Sequence, residues 1–250
     1  MKIKKFLGQH FLRNKKILLK IADFAQIEKG DTVLEVGPGE GGLTEFLLEK
    51  SKKVIAVEKD AQLVEFLKQK FKKEIISNKL QIIEGDILEF SLMGTIRGNY
   101  TLVGNIPYYI TGEIFRKFLE SENGPKSITF VVQKEVAERI LSPKGSILSI
   151  SIRAFGTPEF GGVIKAGSFT PTPKVDSAII AVRNIHPSSL DLTLVKKGFS
   201  HKRKLLKSNL GIEGALLGIL GRCGIAEKAR AEELSLENWL CLAHHLNFGH

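Results

Sequence analysis

Residues 33–41 read Val-Leu-Glu-Val-Gly-Pro-Gly-Glu-Gly, and this stretch decides the fold. A β-type segment runs into a glycine-rich turn, and a helical pattern follows the turn at once. Because glycine lets a backbone turn tightly and approach a ligand closely, we predict a ligand site at the end of this strand. The spacing is G-x-G-x-G, which differs from the G-x-G-x-x-G of dinucleotide sites. Glu35 also disfavours a dinucleotide ligand, since its carboxylate would repel a pyrophosphate and attract an ammonium group.

Beyond this turn, β-type and helical segments alternate at the spacing of βαβ units. We therefore predict an α/β fold with a doubly wound, mostly parallel sheet. The predicted strands are Thr32–Val36, Lys53–Val57, Leu80–Ile83, Tyr100–Val103 and Ile128–Val132. The predicted helices are Leu43–Lys50, Gln62–Phe71, Thr111–Leu119 and Lys134–Leu141, preceded by an amphipathic helix within residues 1–30.

The rest of the chain predicts edge strands and then a second domain. Two β-rich stretches, Ser146–Phe155 and Val175–Arg183, are expected to add edge strands, at least one of them antiparallel. After a break at Pro187-Ser188-Ser189 the pattern is helical, without a clear strand. We predict a main domain at residues 1–185, with a basic arm and helix at 1–30, and a small all-helical domain at residues 190–250.

Acidic and amide side chains follow the next predicted strands. Glu58 lies twenty-one residues after Gly37, where a carboxylate can accept hydrogen bonds from two ribose hydroxyls. Asp86 follows the third strand, where it suits an adenine amine, with Ile87 beside the ring. Because ligands of open α/β sheets bind at the carboxyl ends of the strands, we expect one nucleoside site here. A dinucleotide-dependent dehydrogenase and a purely structural turn are the alternatives.

The fourth strand ends in Asn105-Ile106-Pro107-Tyr108. This run resembles the [NDS]-P-P-[YFW] motif of methyltransferases that modify exocyclic amino nitrogens. The Asn105 oxygen and the Ile106 carbonyl would accept hydrogen bonds from a base amine, and Tyr108 would stack on the base. An ordinary turn with a packed aromatic ring is the alternative.

Net charge and cysteine content limit which partners and which cellular compartment the protein can be expected to have. The net charge is +10, with seven Lys or Arg and no acid between Lys2 and Lys20, and six between Lys196 and Lys207. Two such segments predict a polyanionic partner, with solvated helix faces as the alternative. No apolar run could span a bilayer and no secretory signal is evident, so we expect a cytoplasmic protein. Cys223 and Cys241 fit no common zinc spacing, even with His244 and His245, so we expect reduced thiols and no metal.

Taken in order, the motifs resemble the ribosomal RNA adenine dimethyltransferases, of the KsgA type that acts on the small subunit. The resemblance covers nearly the whole chain and implies a class I methyltransferase (Rossmann-like) domain that uses S-adenosylmethionine. The matching stretches are Leu7–Leu12, Glu35–Gly39, Glu58, Asp86, Gly104–Tyr108, Gln133–Arg139, Phe169–Ser177 and Phe199–Leu210.

The resemblance also implies roles for individual residues. Phe169 would take the face of the target base opposite Tyr108. The catalytic set is then Asn105, Ile106, Pro107, Tyr108 and Phe169. The cofactor set is Gln9, His10, Leu12, Glu35, Gly37, Gly39, Glu58, Lys59, Asp86, Ile87 and Asn105. The RNA-binding set is Lys202, Arg203, Lys204 and Lys207, on a basic helix. His10 and Tyr109 depart from the residues that are common in the family.

The implied reaction is dimethylation of adenine N6 in small-subunit ribosomal RNA, coupled to maturation of that subunit. The expected partner is the small ribosomal subunit, with no membrane and a monomeric state off the ribosome. Two rivals stay open at this point. One is the large-subunit enzyme type that confers macrolide resistance, and the other is a non-enzymatic assembly or transcription factor on the same scaffold.

Overall fold

The computed structural model describes residues 10–92, 96, 99–142, 145–214 and 217–246. Gln9 of the predicted cofactor set lies outside these residues. The strands are β1 Phe11–Leu12, β2 Thr32–Val36, β3 Lys53–Glu58, β4 Leu80–Glu84, β5 Tyr100–Asn105, β6 Ser127–Gln133, β7 Thr157–Ile164, β8 Phe169–Thr170 and β9 Ser177–Arg183. The helices are α1 Lys15–Phe24, α2 Gly42–Lys50, α3 Ala61–Lys70, α4 Lys72–Ile76, α5 Thr111–Leu119, α6 Lys134–Leu141, α7 Ile147–Phe155, α8 Leu192–Gly198, α9 Leu206–Leu210, α10 Leu217–Arg222 and α11 Leu236–His245.

Seven strands form the main sheet, in the order β4-β3-β2-β5-β6-β9-β7. Strands β2 to β6 pair in parallel, and β9 runs antiparallel to β6. The strand order reverses between β2 and β5, which is the switch point where open α/β sheets bind ligands. The predicted doubly wound, mostly parallel α/β fold with a helical C-terminal region is confirmed.

The prediction for Ser146–Phe155 is wrong, because residues Ile147–Phe155 form helix α7. The residues that decide this are Ser146 and Ser149, which form a capping box. The Ser149 backbone N–H donates to Ser146 Oγ at 3.1 Å, and the Ser146 N–H donates to Ser149 Oγ at 2.8 Å. Strand β7 at the sheet edge had no counterpart in the prediction.

The chain divides into two compact units. The first comprises the described residues up to Ala137 together with Glu159–Ile185. The second comprises Glu138–Pro158 and the described residues from His186 onward. Residues 138–158, which hold α7, lie in the second unit of this division, while the predicted main domain spans residues 1–185.

The helical unit has its own core around Trp239, which is fully buried. The indole stacks on Phe199 with ring centroids 5.9 Å apart, and Gly198 leaves room for it. The expectation of reduced thiols is wrong for this structure, since Cys223 and Cys241 form a disulfide. The two cysteines meet because α10 and α11 pack together, which their separation along the chain does not reveal.

No helix among the described residues is both long enough and apolar enough to cross a membrane.

Candidate active site

A cavity of about 490 Å³ lies in the first unit, at the carboxyl ends of strands β2, β3 and β5. Its walls come from the glycine-rich turn, the ends of neighbouring strands and the segment around β1. Thirteen of the predicted site residues line it: His10, Leu12, Glu35, Gly37, Gly39, Glu58, Lys59, Asp86, Ile87, Asn105, Ile106, Pro107 and Tyr108. Residues far apart in sequence are therefore gathered at one place by the sheet.

The turn after β2 depends on glycine. Gly37 and Gly39 have φ of +62° and +59°, values that other residues adopt only with strain. A Cβ on Gly39 would also stand 3.1 Å from the Phe11 ring. A Cβ on Gly37 would stand 4.0 Å from the Asn105 carbonyl oxygen, so the turn passes close to the end of β5. The glycine-rich turn therefore lines the cavity between the ends of β2 and β5.

Glu58 ends β3 and is held in one orientation. One carboxylate oxygen accepts the Gly39 N–H at 3.1 Å and the other accepts the Asp60 N–H at 3.0 Å. Burial raises the pKa of Glu58, and the backbone hydrogen bonds oppose that rise. A carboxylate offers about four lone-pair positions, and the backbone of Gly39, Lys59 and Asp60 uses three of them, so capacity remains for a ligand hydroxyl.

Glu35 is the next-to-last residue of β2 and is almost completely buried. Its carboxyl accepts a hydrogen bond of 2.7 Å from the Thr44 hydroxyl on α2. Burial raises the pKa of Glu35 to about 8, although the Thr44 hydrogen bond opposes the rise. The carboxyl is therefore mostly protonated at neutral pH, and a ligand cation would favour its ionised form.

Asp86 follows β4 and pairs with Lys59. The Lys59 ammonium donates to one Asp86 oxygen at 2.7 Å, and this hydrogen bond lowers the pKa of Asp86. The other oxygen accepts the Leu88 N–H at 2.9 Å. Lys117 on α5 fixes the same loop by donating to the Leu88 and Phe90 carbonyls, each at 2.7 Å. Lys59 thus reaches the cavity as the partner of Asp86.

Asn105 ends β5 with its amide oriented by a hydrogen bond. Its nitrogen donates to the His10 carbonyl at 3.0 Å, which leaves the amide oxygen able to accept a hydrogen bond from a ligand. Tyr108 shares a hydrogen bond of 2.7 Å with the Ser177 hydroxyl, and burial raises the pKa of Tyr108. Tyr109 follows at the rim, with 63% of its surface exposed.

A short N-terminal segment covers one side of the cavity. Strand β1 pairs antiparallel with β8, and the His10 ring bonds the Pro171 carbonyl at 2.7 Å and stacks on Tyr108. Arg13 forms a two-pronged ion pair with Glu40 of the glycine-rich turn, at 2.8 and 2.6 Å. Arg13 and Glu40 were not among the predicted site residues, because their pairing depends on where β1 packs.

Phe169 is the predicted catalytic residue that does not reach the cavity. It lies in β8 opposite Leu12 and belongs to the hydrophobic core, with 2% of its surface exposed. Its ring is an anchor for the N-terminal segment here, because the antiparallel pairing with β1 turns it inward. In this arrangement it is not placed to stack on a base.

The predicted RNA-binding residues lie in the second unit, but mostly outside a helix. Lys202, Arg203 and Lys204 occupy an exposed turn, and α9 begins only at Leu206. Lys207 on α9 forms an ion pair with Glu227. We name residues 202–204 the basic turn; no acidic partner for them is found among the described residues.

Fold and site together define a class I methyltransferase. The doubly wound sheet brings acids from β2, β3 and the loop after β4 to one cavity, beside Asn-Ile-Pro-Tyr at the end of β5. Such a set suits a nucleoside cofactor and an amino nitrogen as methyl acceptor. The glycine spacing and Glu35 do not suit a dinucleotide, so the dehydrogenase alternative is not favoured.

Comparison with known proteins identifies the family. Residues 1–247 match the family model "Ribosomal RNA adenine dimethylase", and the chain belongs to this family. The chain is similar to the ribosomal RNA small subunit methyltransferase A of Dehalococcoides mccartyi, strain BAV1, with 40% identity over 98% of this chain and 89% of the relative. The protein of the same name from Fusobacterium nucleatum is 37% identical, over 96% of each chain.

Two solved structures resemble the whole chain. A dimethyladenosine transferase from Plasmodium falciparum has a TM-score of 0.81 and 28% identity, over 96% of this chain and 98% of that one. The 23S rRNA methyltransferase ErmE has a TM-score of 0.78 and 27% identity, over 95% of this chain and 99% of that one. The family resemblance read from the motifs is therefore confirmed.

Proposed function

We propose that this protein transfers methyl groups from S-adenosylmethionine to adenine N6 in small-subunit ribosomal RNA, two for each base. Family membership supports the chemistry, and the relatives at 40% and 37% identity carry the name of small-subunit enzymes. The large-subunit neighbour ErmE is less similar in sequence, at 27%. The observation that carries the proposal is the meeting of Glu58, Asp86, Asn105 and Tyr108 at one cavity.

The residues present fit the cofactor. A cavity of about 490 Å³ is in the range of small-molecule sites, and Gly37 and Gly39 line it without a side chain of their own. Glu58 would accept the ribose hydroxyls, Asp86 the adenine amine, and Ile87 would contact the ring. The buried carboxyl of Glu35 would receive the ammonium group and ionise on doing so. When bound, S-adenosylmethionine supplies a methyl group on a positively charged sulfur, which is a good leaving group.

The target amine is a poor nucleophile, because its lone pair is delocalised into the ring. The Asn105 oxygen and the Ile106 carbonyl would accept its two N–H groups and so turn the lone pair towards the methyl group. The hydrogen bond from Asn105 to His10 fixes which end of the amide faces the base. Tyr108 would stack on the ring. Catalysis is then mainly positioning, with no strong base required.

The target adenine must leave its stack, because a paired base cannot bring N6 to the cofactor. The basic turn would supply affinity through phosphate contacts, since its three cations are exposed and lack an acidic partner among the described residues. Lys207 would contribute less, because Glu227 already neutralises it.

The test is to offer the purified protein unmethylated small and large ribosomal subunits separately, with a labelled methyl donor. We expect label in the small subunit only, with two methyl groups on each modified adenine. Label in the large subunit alone would assign the macrolide-resistance type. Tight binding to small subunits without any transfer would assign an assembly factor instead.

A further inference from the structure

The helical unit holds a group of potential metal ligands that does not belong to the cavity described above. Cys241 and His245 lie four residues apart on α11, so they share one face of the helix. Cys223 follows α10 directly. The sulfur atoms of the two cysteines and a ring nitrogen of His245 all lie within 4.8 Å of one another. We call these three residues the Cys-His cluster.

The placement of the cluster does not depend on the disulfide bond alone. The Cys223 N–H donates to the Ile219 carbonyl at 3.0 Å, which holds it to the end of α10. The Asn238 side chain on α11 donates to the Cys223 carbonyl at 2.8 Å and joins the two segments. Cys223 is also buried, with 7% of its surface exposed. The sulfur atoms would therefore stay close to each other if the bond between them were reduced.

We propose that the Cys-His cluster binds a thiophilic divalent cation of the Zn²⁺ type when its cysteines are reduced. Two thiolates and an imidazole are ligands that Zn²⁺ prefers, and the ligand atoms of a tetrahedral site lie about 3.5–3.8 Å apart, as bonds of about 2.0–2.3 Å require. Three side chains leave one position of the tetrahedron for water. The spacing of the three residues along the chain is not a common zinc pattern, and only the packing of α10 against α11 brings them together.

The oxidised and metal-bound forms exclude each other. A phosphine or dithiol reductant delivers two electrons to the disulfide, which takes up two protons and becomes two thiols, and the reductant is oxidised. Each thiol then loses its proton as it binds the cation. Ribosomal RNA occurs where thiols are kept reduced, so the metal-binding form is the relevant one there. Only this last argument rests on the proposed function.

The cluster would stabilise the segment on which the RNA-binding residues rest. Between its two cysteines lie Glu227, which pairs with Lys207, and Ala229, whose carbonyl accepts the Leu206 N–H at 2.8 Å. Both contacts hold the start of α9, immediately after the basic turn. A cation that clamps Cys223 to α11 would thus limit the motion of this support.

The experiment is a Co²⁺ titration of the full chain after reduction with a phosphine, which does not compete strongly for the metal. We expect one equivalent to bind, with the near-ultraviolet charge-transfer band of cobalt–thiolate bonds and the visible bands of a tetrahedral site. Zn²⁺ should displace the cobalt. The oxidised chain of the same sequence should show no band, which tests the thiols without any substitution.

Variants then test the ligand set. Cys241→Ser should abolish the band, and His245→Ala should weaken Co²⁺ binding at least tenfold. His244→Ala is the matched control and should bind as the wild type does, since His244 is a neighbour outside the cluster. Circular dichroism establishes that each variant is folded. The proposal is overturned if the reduced wild type shows no thiolate band, if the band survives Cys241→Ser, or if His245→Ala binds normally. None of these results depends on methyl transfer.

Discussion

The cavity of the first unit and the basic turn of the second use charge in opposite ways. In the cavity, acids are buried and fixed: both Glu58 oxygens accept backbone N–H groups, and the pKa of Glu35 rises to about 8 through burial. In the basic turn, residues 202–204 are exposed to solvent. We therefore expect the cavity to select its ligands by the geometry of fixed hydrogen-bonding groups, whereas the basic turn would attract RNA by its charge. The two regions should therefore respond differently to substitution, salt and pH.

The largest expected effect is that of Asn105→Ala in the cavity. Removing one well-placed hydrogen-bond partner from a transition state typically lowers the rate by about 10²–10³. We expect a fall of that size in single-turnover methyl transfer, with RNA affinity nearly unchanged. Tyr108→Phe is the control, because it keeps the ring that stacks and should be only modestly slower. If Asn105→Ala turned over normally while Tyr108→Phe was inactive, proton transfer by the phenol would replace positioning as the mechanism.

The next effect concerns Glu58→Ala, which removes a fixed acceptor from the cavity. Affinity for S-adenosylmethionine, measured by calorimetry, should fall by about 1.5–3 kcal/mol, the scale of a hydrogen bond to a charged group. Glu84→Ala is the matched control. Glu84 lies beside Glu58 in the register of the neighbouring strand β4, but it is exposed and does not line the cavity. Equal affinities for both variants would remove Glu58 from the cofactor site.

Substitutions in the basic turn should have a smaller effect, and it should appear in the salt dependence of RNA binding. Replacing Lys202, Arg203 and Lys204 by Gln should lower the slope of log affinity against log salt by about 0.7–0.9 for each phosphate that the protein no longer neutralises. Cofactor affinity should not change. Lys207→Gln should alter the slope less, because Glu227 already pairs with Lys207.

A control for the basic turn is the double replacement of Lys72 and Lys73 by Gln, since these lysines are also exposed, on α4. An unchanged slope for the basic-turn variant, measured by filter binding at several salt concentrations, would make the turn a solvated surface.

The smallest expected effect is on stability, through Glu35→Gln. An unfolded Glu has a pKa of about 4.3, while burial raises the pKa of Glu35 to about 8 in the fold. Folding therefore favours the protonated form, and this contribution to stability is lost as pH rises from about 4.3 through about 8. A neutral Gln avoids that loss.

We expect Glu35→Gln to raise the midpoint of thermal unfolding at pH 8 over wild type by at least about 2–4 °C, the shift that about 1 kcal/mol produces in a chain of this size. At pH 5 the two proteins should be closer. The same gain at both pH values would mean that ionisation of Glu35 is not what distinguishes them. The basic-turn variant should show no such pH dependence.

Much of the cavity could be predicted from the sequence because of one geometric rule. Parallel strands end at the same edge of a sheet, so Glu58, Asp86 and Asn105 had to be neighbours once the βαβ pattern was recognised. The same rule does not extend to contacts between distant segments. The pairing of β1 with β8, the ion pair of Arg13 with Glu40 and the disulfide all depend on tertiary packing, which leaves no periodic signal.

Local sequence patterns led to wrong secondary-structure predictions where the same residues are compatible with both a strand and a helix. Residues 148–152 alternate Leu or Ile with Ser, which is typical of a strand, yet the capping box at Ser146 and the packing of α7 favour a helix. Strand β7 contains Gly161 and Gly162, and glycine is depleted in strands, so its propensity is low. The position of Phe169 outside the cavity could not be predicted for another reason, since family resemblance gives a role without giving a side-chain orientation.

The pairing of β1 with β8 bears on how the protein is made. The His10 ring contacts a carbonyl that lies 161 positions later in the chain, and Phe11 and Leu12 find their hydrogen-bond partners only in residues 169–170. During translation the glycine-rich turn and the first strands emerge early, but their covering segment has nothing to pair with until those late residues leave the exit tunnel. A chain that stops before residue 169 would thus carry an open cavity, because the segment that covers one side of it gains its strand partner only when residues 169–170 have been made.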